Sequence, residues 1–188
     1  MQNGRVSTTF PRTKRSRRGY NVEAVEEFLE EARRAYSAEA GAPVTVNAVS
    51  IRHTAFAMQR AGYSPSHVDA ALERLEDAFA ARERQRLIDE GGEAAWQAET
   101  ESLTQDILAR LARPDGRRFA RTGMLTNGYD RAEVDKFAAR LVRYFGDSKP
   151  LTIADVRTAA FHPRKGGYRE AQVDLFLDSV VSVMQAVQ

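Results

Sequence analysis

Five cations crowd into seven residues near the start of the chain: Arg12, Lys14, Arg15, Arg17 and Arg18. Residues 1–20 add Arg5 and hold no acid. That is a local charge of +6 in a chain of net charge +2, so the rest of the chain carries −4. Such a run attracts phosphates. Beside an anionic membrane each Lys or Arg gains about 1 kcal/mol, so these five supply up to roughly 5 kcal/mol before screening. Nucleic acid would draw on the same charges. The plain alternative is a solvated, solubilising tail. Reactive chemistry is harder to find. The absence of Cys excludes disulfides, thiolate metal sites and thiol nucleophiles. His53, His67 and His162 do not stand at metal-ligand spacing and read as surface or helix-cap residues. Gly91-Gly92 and Gly166-Gly167 lack the spacing of a phosphate loop and read as helix punctuation. Nothing argues for an enzyme, and neither metal nor cofactor is expected.

The elements that must position these residues are written as an internal repeat. Gly-Tyr, four mostly polar residues, Val and then an acid occur four times: Gly19-Tyr20 with Val25-Glu26, Gly62-Tyr63 with Val68-Asp69, Gly128-Tyr129 with Val134-Asp135, and Gly167-Tyr168 with Val173-Asp174. The residue after each Tyr fits a helix N-cap: Asn21, Ser64 and Asp130 are good caps, and Arg169 is the exception. Tyr then falls at N′ and Val at N4, the positions of a hydrophobic staple, with the Tyr hydroxyl expected near the surface. Pro65 suits N1, and Glu133 behind Asp130 approaches a capping box. The acids after Val are expected to serve helix N-terminal electrostatics and salt bridges rather than acid–base catalysis. The Gly supplies either a special backbone angle or a close approach that a Cβ would block. From each Val the apolar residues recur at +3, +4, +7 and +11, one stripe of an α-helix; Val25, Phe28, Leu29, Ala32 and Tyr36 are the first such stripe.

The first long helix is expected from Val22 to Ala40, stopped by Gly41-Ala42-Pro43, and the second runs on to Asp89. A shorter element precedes copies two and four only. Pro43-Val44-Thr45-Val46-Asn47-Ala48-Val49 returns as Pro150-Leu151-Thr152-Ile153-Ala154-Asp155-Val156. Thr45 and Thr152 read as its caps, with staples Val44–Val49 and Leu151–Val156. It ends at Phe56 or Phe161 and spans about 16 Å, enough to return the chain beside the preceding long helix. Two repeats then form one unit with stripes facing, bringing Leu29 toward Leu72 and Leu141 toward Val180. Between units, Trp96, Leu103, Ile107 and Leu111 stand at helical spacing, Trp96 as a packing anchor, and Pro114-Asp115-Gly116 closes that helix.

Leu151-Thr152, Asp155-Val156-Arg157, Phe161, Gly167-Tyr168, Val173-Asp174 and Phe176-Leu177-Asp178 together resemble the N-terminal domain of DivIVA. The whole chain resembles the DivIVA-domain repeat proteins of actinobacteria, the other three copies keeping the core motif. The family organises poles and division sites in Gram-positive bacteria. The resemblance implies an α-helical, coiled-coil-forming, non-enzymatic scaffold that dimerises through its long helices. It also implies that the loop between Phe and Gly-Tyr touches the membrane with an apolar residue beside an Arg. Here that loop is Arg15-Ser16-Arg17-Arg18 in copy one, Gln59-Arg60-Ala61 in copy two, the apolar pair Met124-Leu125 in copy three, and Arg164-Lys165-Gly166 in copy four.

The expected fold is all-α: two tandem helical units, each a pseudo-twofold pair of DivIVA-like repeats (long helix, short return helix, long helix), joined by a helical connector. The boundaries are a disordered 1–9, a first unit at 10–90, a connector at 91–118 and a second unit at 119–188. Arg12, Lys14, Arg15, Arg17, Arg18, Met124 and Leu125 are the candidate membrane- or polyanion-binding residues. Expected partners are proteins of the division or growth machinery and an anionic membrane surface, with nucleic acid the rival and a homodimer a further option. With no apolar run of about 18 residues and no apolar signal region, neither a span nor a secretory signal is expected. The expected location is the cytoplasm, peripherally at the inner face of the membrane if the loops engage it.

Overall fold

The computed structural model describes residues 10–38, 45–147 and 150–187. The expected disorder of 1–9, the Gly41-Ala42-Pro43 stop and Val44 lie outside these residues, whereas the first long helix ends at Ser37, with Ala38 extended as its C-cap, short of the expected Ala40. The chain divides into two compact units, Met1–Glu83 and Arg84–Gln188. It is mostly helical, but each unit also holds a two-stranded antiparallel pair that a purely helical expectation omitted.

The first unit contains β1 (Arg18–Tyr20), α1 (Val22–Ser37), α2 (Ala48–Arg52), β2 (Met58–Arg60) and the start of α3 (Pro65–Leu111). Helix α1 begins where Asn21 accepts the Ala24 N–H at 2.8 Å. Glu23 in its first turn and Arg34 in its last complement the helix dipole. Its stripe buries Val25 and Ala32, with Phe28 and Leu29 partly buried. Leu29 and Leu72 pack against the same cluster of Val25, Tyr63 and Val68. A second cluster gathers Ala32, Val46, Ala48, Ile51 and Phe79. Arg52 on α2 reaches Glu76 on α3, Nη2 to Oε1 at 2.7 Å and Nε to the same oxygen at 2.9 Å. Both side chains are almost wholly buried.

The cap of α2 is a correction. Asn47, not Thr45, caps it, accepting the Ser50 N–H at 2.7 Å while Ser50 Oγ accepts the Asn47 N–H at 2.9 Å. The helix starts two residues later than aligning the two Pro-initiated segments suggested, and it holds five residues rather than reaching Phe56. Val49 is consequently 41% exposed, and Val46 and Ile51 take the staple positions instead, both buried. In the second unit Thr152 caps α5 as expected, sharing a capping box with Asp155. That helix is also five residues long, so neither return helix approaches 16 Å.

Helix α3 is broken at Gly92, whose φ of 79° and ψ of 164° leave the helical region. The second unit takes the last part of α3 with β3 (Asn127–Tyr129), α4 (Arg131–Asp147), α5 (Ile153–Arg157), β4 (Pro163–Lys165) and α6 (Glu170–Ala186). Ile107 and Leu111 join Phe137, Leu141, Val156, Val180 and Met184 in one core. Trp96 is not the anchor its spacing suggested. It is half-buried, with the Arg84 guanidinium 4.0 Å from its ring centroid, a cation–π contact that suits an indole kept partly in water. No described helix is long and apolar enough to cross a membrane.

Candidate functional site

The four Gly-Tyr motifs cross in pairs. Strand β1 runs antiparallel to β2, and β3 to β4. The Tyr20 N–H donates to the Tyr63 carbonyl at 2.9 Å and the Tyr63 N–H donates back at 2.9 Å. Tyr129 and Tyr168 exchange the same two bonds at 3.0 and 2.9 Å. The glycines are required by close approach, not by an unusual angle. A Cβ on Gly19 would stand 2.8 Å from the Gly62 carbonyl carbon, and one on Gly62 would stand 2.6 Å from that of Gly19.

Tyr63 shares an apolar cluster with Val68 and Tyr168 shares one with Val173, as the staple reading expects, but the crossing corrects the expected surface position of the hydroxyls. Each hydroxyl reaches the acid that follows Val in the opposite copy. Tyr63 donates to Glu26 at 2.6 Å, Tyr168 to Asp135 at 3.1 Å, Tyr20 to Asp69, and Tyr129 to Asp174. Tyr63 and Tyr168 are buried to their hydroxyls rather than ending at the surface. Burial and then the neighbouring carboxylate push Tyr20, Tyr63 and Tyr168 above the usual phenol range, and Tyr129 up to about 12. The acids therefore clasp the partner repeat, a role that motif spacing within one copy could not reveal. Asp135 is held tightest. It also accepts from Arg118 Nη1 at 2.8 Å and the Gly116 N–H at 2.7 Å, and Arg118 pairs in turn with Asp115. The two carboxylates hold the Arg118 guanidinium above its usual value despite burial. With its oxygens so engaged, Asp135 is built for structure.

The caps support the loops. Asp130 Oδ1 accepts the Ala132 and Glu133 N–H groups at 2.8 and 3.3 Å, and Oδ2 accepts from Arg164 Nη1 at 2.7 Å. The hydrogen bond from Arg164 is the largest influence holding the Asp130 carboxyl below its usual range. Glu133 does not complete a capping box. Its carboxylate accepts the His162 N–H at 2.8 Å and lies 2.9 Å from His162 Nδ1, and these bonds hold it below the usual carboxylate range. Ser64 Oγ engages His67 Nδ1 at 3.0 Å, and Arg169 makes no side-chain cap.

Beyond each crossing stands a tight turn, and the two turns share one scaffold. In the first unit the Arg17 N–H donates to the Lys14 carbonyl at 2.8 Å, and Thr13 Oγ1 donates to the Arg17 carbonyl at 3.2 Å. In the second the Thr126 N–H donates to the Gly123 carbonyl at 3.0 Å, and Thr122 Oγ1 donates to the Thr126 carbonyl at 2.9 Å. The turns differ in what they display. Arg15 and Ser16 occupy the first tip, and Lys14, Arg17, Arg18 and Arg12 are exposed around it. Arg12 also lies 5.8 Å from the Tyr63 ring centroid. Met124 and Leu125 occupy the second tip, each 88% exposed.

Arg60, named in the copy-two loop, was not among the candidate binding residues. It lies on β2 directly opposite Arg18, far from the basic run in sequence, and only the pairing of copies one and two joins them. Among the described residues no group of His, Asp or Glu could hold a metal ion. No family model, curated protein or solved structure matches the chain.

Proposed function

We propose that the chain is a non-enzymatic, DivIVA-like interaction module. In this reading it consists of two tandem helical units, each a pseudo-twofold pair of repeats. Their loop tips meet an anionic membrane surface from the cytoplasmic side, and the protein serves partners in cell division or polar growth. The reciprocal Tyr–Tyr backbone bonds and the crossed Tyr–acid bonds support the paired-repeat arrangement.

The observation that carries the membrane reading is the exposure of Met124 and Leu125. Two adjacent large apolar side chains at the end of a turn gain nothing from water. The fold does not need them there, since the same turn in the first unit is built from Arg15 and Ser16. A single weak signal rarely anchors a protein stably, whereas charge and apolar surface in one chain act together.

Vesicle flotation tests this. Wild-type protein floats with anionic vesicles at low salt. Replacing Arg15, Arg17 and Arg18 by Ser abolishes flotation, and Met124→Ser with Leu125→Ser weakens it without lowering the unfolding temperature. If wild-type protein ignores the vesicles yet retards DNA on a gel, the nucleic-acid reading of the basic loop replaces this one.

A further inference from the structure

The ribbon of β1 and β2 sets two cations against each other. Arg18 and Arg60 are direct partners in its antiparallel register. The Asn21 N–H donates to the Ala57 carbonyl at 2.8 Å and the Ala61 N–H to the Arg17 carbonyl at 3.3 Å. These bonds put the hydrogen-bonded pairs at 17/61, 19/59 and 21/57, so Arg18 and Arg60 form a non-hydrogen-bonded pair. That is the closer kind, with Cα atoms about 4.5 Å apart and side chains on one face. Both are exposed, and among the described residues neither has a carboxylate ion-pair partner.

Like charges directly opposite in a strand pair destabilise it. The second unit shows that the fold has no need of them. There Asn127 faces Lys165 at the equivalent place, and the Asp130 to His162 and Gly166 to Thr126 backbone bonds repeat the flanking pattern. A repulsive pair on a scaffold that folds without one points to a ligand that neutralises it.

We propose that Arg18 and Arg60 form a binding site for a phosphomonoester dianion. This rests on the reading that the tips meet an anionic surface, and it names the group recognised there. The register sets the two side chains next to each other on one face of the ribbon, and a guanidinium prefers a pair of oxygens on a planar or tetrahedral anion. A phosphomonoester offers three terminal oxygens and a charge of about −1.5 to −2 near neutral pH, enough to compensate both cations. A phosphodiester or a carboxylate brings a single charge and leaves one guanidinium opposed. Met58 stands on the same ribbon face, two residues from Arg60, and is 46% exposed. That apolar shoulder suits a phosphate carried on a lipid better than a free one. Lys14, Arg15 and Arg17 on the turn add long-range attraction.

The experiment compares phosphatidylcholine vesicles containing equal mole fractions of phosphatidic acid, a phosphomonoester, or phosphatidylglycerol, a phosphodiester. Wild-type protein binds the phosphatidic acid vesicles roughly tenfold more tightly, the scale of one charge-assisted hydrogen bond. Arg60→Gln and Arg18→Gln each remove that preference while changing phosphatidylglycerol binding by only about twofold to fivefold, the effect of one surface cation. Asn127→Arg, opposite Lys165, builds a second opposed pair and strengthens the preference. The Arg60→Gln protein unfolds at or above the wild-type temperature, because a repulsion has gone; a lower temperature would contradict the repulsive pair and overturn the proposal. Glycerol 3-phosphate is the soluble arm. If it raises the unfolding temperature of wild type but not of Arg60→Gln, and displaces the protein from vesicles, the dianion site stands with a soluble source. Equal binding to both vesicles overturns the proposal and leaves the membrane reading intact. A preference that survives both Gln variants also overturns it. Binding to neither vesicle overturns both readings.

Discussion

Gly19 and Gly62 meet back to back, with no room for a side chain between them. Gly19→Ala is therefore expected to destabilise the first unit by about 3 kcal/mol, the upper end for an overpacked site, because backbone rather than a movable side chain is in the way. Ala61 gives the opposite case. It stands at φ 52°, where the equivalent residue of the second unit is Gly166 at φ 65°. Ala61→Gly should stabilise by about 1 kcal/mol by relieving a left-handed alanine. Chemical denaturation of the two variants checks both signs. At this scale the sequence showed that Gly, Tyr, Val and the acid belong together, and it offered close approach as one reason for the Gly. It could not show that the acid serves the other copy, because the Tyr63–Glu26 and Tyr168–Asp135 bonds join residues of different repeats.

The long helices were legible because their apolar stripes and caps are local signals. Asn21, Asp130 and Thr152 cap as their types demand. The strands were not, since three residues are too few to show an alternation, and β1 and β3 each contain the Gly of the motif. The α2 cap was misplaced because Thr45 and Asn47 are both acceptable caps and the shared Pro-x-Thr spelling favoured the wrong one. Counting back from Phe56 and Phe161 aligns Ile51 with Val156, which matches the buried positions. The Asp130 cap carries a pH prediction. Its folded-state pKa lies below its ordinary value of 3.8, so its stabilisation is whole at neutral pH and is lost as pH falls through the depressed value. Asp130→Ala should cost about 1 kcal/mol at pH 7. That difference should shrink as the pH is lowered below about 4, as denaturation of the pair at several pH values would show. A difference independent of pH would mean that the carboxylate contributes no charge-dependent stability.

For the whole molecule, repetition is the main informant. Two units built on the same crossing act as controls for each other, and what differs between them marks what folding does not require. The turn at 123–126 is apolar and exposed, the turn at 14–17 is basic and exposed, and both close with the same backbone bond. The basic run was visible in composition. Its completion by Arg60 and the exposure of Met124 and Leu125 were not, because both depend on how the chain folds back on itself. In the proposed function these tips take a DivIVA-like module to the membrane at sites of division or growth. Imaging a fluorescent fusion in the native cell tests it most directly. The account predicts signal along the membrane, concentrated at septa or poles, and lost to the cell interior when Met124, Leu125, Arg15, Arg17 and Arg18 are all replaced by Ser. Wild-type signal that is diffuse, or that follows the nucleoid, would contradict it.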